Sequence, residues 1–321
     1  MGMRTLVVGA GAVGGYFGGR LAEAGRDVTF LVRPRTAESI RRDGLSIVSP
    51  HGGATLHPKL ALANEIIAPY DLILLSVKAY GLESAMNDFA PAVGSGTMIL
   101  PVLNGMRHID LLVTRFGEDA VLGGVCLVST EVDQDGRIVQ LADMQKLVYG
   151  ERKGGTSDRI KALDQVMQGA GFDARISENI MQGMWEKWVQ LASLGAVTCL
   201  LHGNVGEVEA APGGTTTALK ILDECSAIST ACGYPPREPF FAQARTMLTT
   251  PGSSMTSSMY RDMTKGSRVE ADQILGDLID RGCNLSIPAP LVEAAFISLR
   301  IYQARLPATI SLAARLPSSS G

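Results

Sequence analysis

A short apolar run, Thr5-Leu6-Val7-Val8, leads into Gly9-Ala10-Gly11-Ala12-Val13-Gly14. A segment with apolar residues at helical spacing follows (Val13, Phe17, Leu21, Ala24), closed by Gly25. A buried strand, a glycine turn and a helix in that order leave few folds open. Each glycine has a separate reason: Gly9 for the tight turn, Gly11 for backbone approach to a pyrophosphate, and Gly14 for close packing of helix on strand. The helix N-terminus then offers N–H groups to phosphate oxygens. We therefore expect a dinucleotide site at Gly9, Ala10, Gly11, Ala12, Val13 and Gly14.

The second strand, Val28 to Val32, decides the form of the dinucleotide. An acid at its end would bond a ribose 2′-hydroxyl; this chain has Arg33-Pro34-Arg35 instead. Arginine pairs with a 2′-phosphate that a carboxylate would repel, so the expected cofactor is NADPH. Two solvated surface arginines are the alternative, which leaves the missing acid unexplained.

Further apolar runs, at Leu45 to Val48, Leu72 to Val77, Met98 to Leu100 and Val121 to Val128, are separated by helix-length segments. That alternation implies a parallel sheet with right-handed crossovers. From residue 160 the segments become long and helical, including Glu178 to Leu201, Thr215 to Cys232 and Leu291 to Arg305. The expected class is α/β: a Rossmann-type dinucleotide-binding domain over residues 1–177, then an all-helical substrate and dimerisation domain over 178–316. Residues 317–321 read as a disordered tail.

Composition removes other classes. The net charge of −3 gives no basic footprint for nucleic acid. The five cysteines are odd in number with no CxxC pair, which fits free thiols in a reducing compartment. The four histidines lie far apart, so no metal site is expected. The apolar run from Trp188 to Leu201 is too short to span a membrane, and no targeting segment is visible, so a cytoplasmic protein is expected.

Two strand ends carry polar candidates, Lys78 in Ser76-Val77-Lys78 and Asn104 in Asn104-Gly105-Met106. Open α/β sheets bind ligands at such ends. Taken singly, Lys78 reads equally as a rim charge and Asn104-Gly105 as a plain turn.

Together these motifs resemble the ketopantoate reductases: GAGAVGG from Gly9, Arg33, SVKAY around Lys78 and LNGM around Asn104. So do Trp185-Glu186-Lys187-Trp188 and Ser257-Ser258-Met259-Tyr260-Arg261-Asp262, followed by Val269-Glu270-Ala271-Asp272. The resemblance implies NADPH-dependent reduction of a 2-oxo acid, 2-dehydropantoate to pantoate in pantothenate synthesis, in a cleft between two domains. It implies Lys187 and Glu270 as catalytic residues, and Asn104, Lys187, Ser258 and Glu270 as substrate contacts. Lys78 and Asn104 are implied beside the cofactor, and a homodimer through the helical domain follows the family pattern. From the residues alone, Lys187 could be a charged helix edge and Glu270 an acid at a helix N-terminus.

The sequence departs from the family where members carry asparagine, with Leu191, Gly195 and Val205 in those places and Asn204 one residue early. Apolar residues cannot supply the same hydrogen bonds, and Gly195 is expected to open volume for a bulkier substrate. The rival readings are another two-domain dehydrogenase, which would need its own motifs, and a non-enzymatic NADPH sensor, which need not keep Lys187 and Glu270.

Overall fold

The structure, a computed structural model, describes residues 2–307. The tail at 317–321 and the end of the expected second domain lie outside the described residues.

The chain opens with β1 (Thr5–Val8), α1 (Ala12–Glu23), β2 (Val28–Leu31) and α2 (Pro34–Asp43). Next come β3 (Leu45–Val48), β4 (Ala54–Leu56), β5 (Lys59–Ala61), β6 (Leu72–Leu75), α3 (Leu82–Phe89), β7 (Met98–Pro101) and α4 (Arg107–Phe116). A long hairpin of β8 (Gly123–Val132) and β9 (Ile138–Gly150) precedes α5 (Asp158–Met167) and β10 (Asp173–Ile176). Five strands form a parallel sheet in the order β5-β2-β1-β6-β7. β1, β6 and β7 are buried along their whole length, which is why they read as unbroken apolar runs.

The expectation of a single parallel sheet needs correction. β3 and β8 belong to a second, mixed sheet organised around β9, which pairs antiparallel with β8 and parallel with β3 and β10. Only a bridge between Ile99 and Val121 links the Val121 segment to the first sheet. β9 gave no sequence signal because its middle, Leu141 to Met144, is exposed and leaves the ladder at an irregularity opposite Val128 and Thr130.

The remaining described elements are helical: α6 (Ile180–Leu201), α7 (Val205–Ala210), α8 (Gly214–Ala231), α9 (Glu238–Leu248), α10 (Ser258–Thr264), α11 (Asp277–Asn284) and α12 (Pro290–Ala304). A π-helical turn at Asp272–Gly276 runs into α11. α6 is apolar around most of its circumference, as a helix inside a bundle must be. α8 packs against α7, α9, α11 and α12. Its Glu224 carboxylate accepts the Leu291 and Val292 N–H groups, satisfying the exposed first turn of α12 from a neighbouring helix. No helix of the described residues is long and apolar enough to cross a membrane. All five cysteines are free thiols.

Internal contacts divide the chain into two units at Met181 and Gln182, not at residue 177. Ser177 donates its N–H to the Tyr149 carbonyl and Gly155 donates to the Glu178 carbonyl, at 2.8 and 3.0 Å. Those bonds hold both sides of the expected boundary, Glu178 of the expected helical domain included, to the sheet-bearing unit. The short segment Asn104–Arg107 groups with the helical unit although it leaves β7.

Candidate active site

The glycine turn begins where β1 stops. Gly9 adopts φ +98°, a conformation costly for residues with a Cβ, and donates its N–H to the Leu31 carbonyl at the end of β2. α1 then starts at Ala12 with Gly11 as its N-cap, and no side chain caps it. A Cβ on Gly14 would overlap Ser76 Oγ and the Gly9 carbonyl oxygen. A Cβ on Gly11 would meet nothing within 4 Å. Gly14 is therefore small for the fold's sake, whereas Gly11 faces open space in front of uncapped N–H groups. That surface fits a pyrophosphate. Ala10 and Val13 lean back against the core.

Ser76 holds this turn, although sequence reasoning gave it no role. Its hydroxyl is shared between the Val8 and Gly9 carbonyls, at 3.2 and 3.1 Å. Ser76 directly follows β6, which pairs with β1, and no local pattern marks that adjacency. Lys78 lies exposed just beyond it, at the start of a single 3-10 turn. Arg33 is exposed after β2 and is the N-cap of α2. Burial pushes the Asp88 carboxyl above its ordinary range, and the Arg33 charge works against that shift.

The other candidates belong to the helical unit. Asn104 is half-buried in the loop after β7. Lys187 is half-buried on α6, whose neighbouring residues Glu186 and Trp188 are 4% and 1% exposed. Glu270 is 9% exposed and lies two residues before the π turn. The two serines divide their work. Ser257 Oγ accepts the Tyr260 N–H as the α10 cap and bonds Thr198 Oγ1 at 2.8 Å, so its hydroxyl is committed. Ser258 follows it, half-buried, at the first position of α10.

One expectation about the departures fails. Gly195 does not open a space, because a Cβ there would overlap the Met259 ε-methyl group, and Met259 is 2% exposed. The chain's own methionine fills the volume the glycine vacates. Val205 is fully buried, and its neighbour Asn204 is spent on a capping box. Asn204 Oδ1 accepts the Glu207 N–H while Glu207 Oε2 accepts the Asn204 N–H. Only Leu191, one helical turn beyond Lys187 and half-buried, remains as an accessible apolar replacement.

Sequence reasoning also missed the partner of Glu186. Arg237, the N-cap of α9, donates its backbone N–H and Nε to Glu186 Oε1 at 3.0 and 2.8 Å, and Nη2 to Oε2 at 2.5 Å. Gln182 Nε2 adds a further bond at 3.2 Å. Burial alone would raise the Glu186 carboxyl, but the Arg237 bonds outweigh it and hold it below the ordinary range. No local signal marks a pair so distant in sequence.

Among the described residues no group of three or more His, Cys, Asp or Glu side chains is arranged to hold a metal ion.

Comparison with known proteins agrees with these features. The model of the ketopantoate reductase PanE/ApbA family matches residues 5–154, and that of its C-terminal region matches residues 179–303. The uncharacterized oxidoreductase YkpB of Bacillus subtilis (strain 168) is 35% identical, over 94% of this chain and 99% of that protein. The crystal structure of 2-dehydropantoate 2-reductase from Geobacter metallireducens GS-15 superposes with a TM-score of 0.84 at 29% identity, covering 94% of this chain and 100% of that one. D-mandelate dehydrogenase, solved with NADH and anilino(oxo)acetate, gives a TM-score of 0.83 over 95% of this chain and 99% of that one. Its identity is 20%, a likeness of fold.

Proposed function

The chain belongs to the ketopantoate reductase family, and from that premise we propose that it reduces a 2-oxo acid to the 2-hydroxy acid with NADPH. Ketopantoate, reduced to pantoate for pantothenate synthesis, is the leading substrate. The observation that carries the reading is the company Lys187 keeps: Asn104, Ser258 and Glu270 belong to the same unit.

The open face at Gly11 and the uncapped start of α1 would hold the pyrophosphate, with Arg33 toward a 2′-phosphate. Lys78 and Asn104 would stand beside the nicotinamide. When bound, the reduced cofactor supplies a hydride to the carbonyl carbon. Lys187 stabilises the negative charge that develops on the carbonyl oxygen and delivers a proton to it. Glu270 accepts a hydrogen bond from a substrate hydroxyl, Ser258 donates one to the substrate carboxylate, and Asn104 orients the substrate.

A second reading, a member diverged toward a larger or less polar 2-oxo acid, is favoured by Leu191 beside Lys187. A pocket that hydrogen-bonds a hydroxyl rejects analogues by about 10,000-fold or more, whereas apolar contacts discriminate by roughly 10- to 200-fold. The fold does not choose between substrates, since a D-mandelate dehydrogenase shares it. NADPH oxidation across a panel of 2-oxo acids tests both. Turnover with at least one acid is expected, with preference for ketopantoate below about 1,000-fold, between those two regimes. No turnover with any acid would leave a cofactor-binding sensor, and a stronger preference would show that other polar groups replace the missing asparagines.

A further inference from the structure

The π-helical turn Asp272–Gly276 is a dislocation in the helical ladder, with the Asp277 N–H donating to the Asp272 carbonyl five residues back. Three separate ties converge on it. Trp188 Nε1 donates to the Ile274 carbonyl at 2.9 Å, and an indole N–H this deeply buried has to find such an acceptor. Gly105, at φ +80°, lies so close to the turn that a Cβ would overlap the Gln273 carbonyl oxygen. The Ile274 N–H donates to the Glu270 carbonyl at 3.1 Å.

Each tie is one residue, or none, away from a polar group assigned above. Trp188 follows Lys187, Gly105 follows Asn104, and Glu270 is itself a partner of the turn. We infer that Trp188 is a positioning residue for the reduction. By bonding the Ile274 carbonyl it locks α6 to the π turn and so fixes where Lys187 stands relative to Glu270 and Asn104.

Adjacent helical residues project about 100° apart, so a side chain locked at 188 sets the direction available at 187. The indole has little freedom to tilt. The Arg281 guanidinium carbon lies 5.5 Å from the Trp188 ring centroid, and Arg281 is paired with Asp277 just past the turn. The Trp185 ring centroid lies 4.9 Å from that of Trp188, with the same guanidinium carbon 5.7 Å away, and Trp185 stacks on Tyr234 at 5.3 Å.

This inference rests on the reading of Lys187 as proton donor, and the test separates the two. Trp188→Phe keeps an aromatic ring but removes the N–H, together with part of the indole's volume. Its kcat should fall roughly 10- to 100-fold, the scale for a small displacement of a reacting group, with NADPH affinity unchanged. The solvent deuterium isotope effect on kcat should rise, because proton delivery has become slower than the steps around it. Ile221→Val, a buried change in α8, should lower Tm and leave both kinetic readouts alone. If Trp188→Phe does not fold, Gly105→Ala displaces the turn through its overlap with the Gln273 carbonyl and should give the same pair of changes. Unchanged kcat and isotope effect in a folded Trp188→Phe, alongside a crippled Lys187→Ala, would overturn the positioning role alone. Near-parent turnover in Lys187→Ala would overturn the reading beneath it.

Discussion

The two units present their chemistry in different currencies. The sheet-bearing unit offers mainly backbone: a glycine with positive φ, an uncapped helix start, and a face at Gly11 left open. In the proposed site the helical unit offers side chains, Lys187, Ser258 and Glu270, from three separate segments, together with Asn104 from a loop that leaves the sheet. A backbone site is built by neighbours in sequence and tolerates change away from a few glycines. A side-chain site depends on every packing contact that aims its members. Binding of cofactor and conversion of substrate should therefore fail separately when each unit is damaged.

The largest expected effect is in the helical unit. Lys187→Ala should reduce turnover by roughly 100- to 10,000-fold, the range for losing acid catalysis, while NADPH titration stays near the parent value. Lys187→Arg should not rescue it, because a guanidinium does not readily release a proton. Loss of NADPH affinity of similar size in Lys187→Ala would break the division between the units.

Damage to the glycine turn should sort by position. Gly11→Ala adds a methyl group to open space, so Tm should hold while NADPH binding weakens. Losing charge-assisted bonds of about 1.5–3 kcal/mol corresponds to about 10- to 100-fold in affinity. Gly14→Ala must push Ser76 off the turn, and should cost about 1–3 kcal/mol of stability as overpacking does. Equal Tm losses in both variants would show that Gly11 is also packed. Arg33→Ala should weaken NADPH by about the same factor as Gly11→Ala and leave NADH nearly unaffected. Equal affinity of the parent for the two cofactors would remove the basis for that assignment.

The same division explains what could be read from the chain before its structure. β1, the glycine turn and α1 are consecutive, so local pattern was enough. β9 was hidden because one strand serves three partners and its exposed middle breaks the alternation. Gly195 was misread because the volume beside it is decided by Met259, from another helix. Asn204 is different: its capping box with Glu207 is a local pattern, legible in the sequence, and it removes that asparagine from any pocket. Trp188, Ser76 and Arg237 act through partners distant in sequence, which only the folded chain brings to them.

The smallest expected effect concerns pH and belongs to the helical unit alone. The Glu186 carboxyl is held below its ordinary range by Arg237 against the opposing effect of burial. A depressed carboxylate stabilises the fold above its unfolded pKa, near 4.3, and that contribution is lost as pH falls through the folded value. The Arg237 side chain is 64% exposed, so solvent screens the pair and its contribution stays modest. Hydrogen bonds to a charged group contribute about 1.5–3 kcal/mol when shielded, and the effect here should lie at or below the lower end. Urea midpoints measured from pH 7 downward should fall below about pH 5 in the parent. Glu186→Gln removes the titrating group while keeping an acceptor for Arg237, so it should be less stable at pH 7 and flatter in acid. Because Glu186 directly precedes Lys187, the kcat of Glu186→Gln at pH 7 reports whether the pair also steadies the proposed proton donor. A flat acid profile in the parent, matching that of Glu186→Gln, would show that the Arg237 contact contributes nothing measurable to the fold.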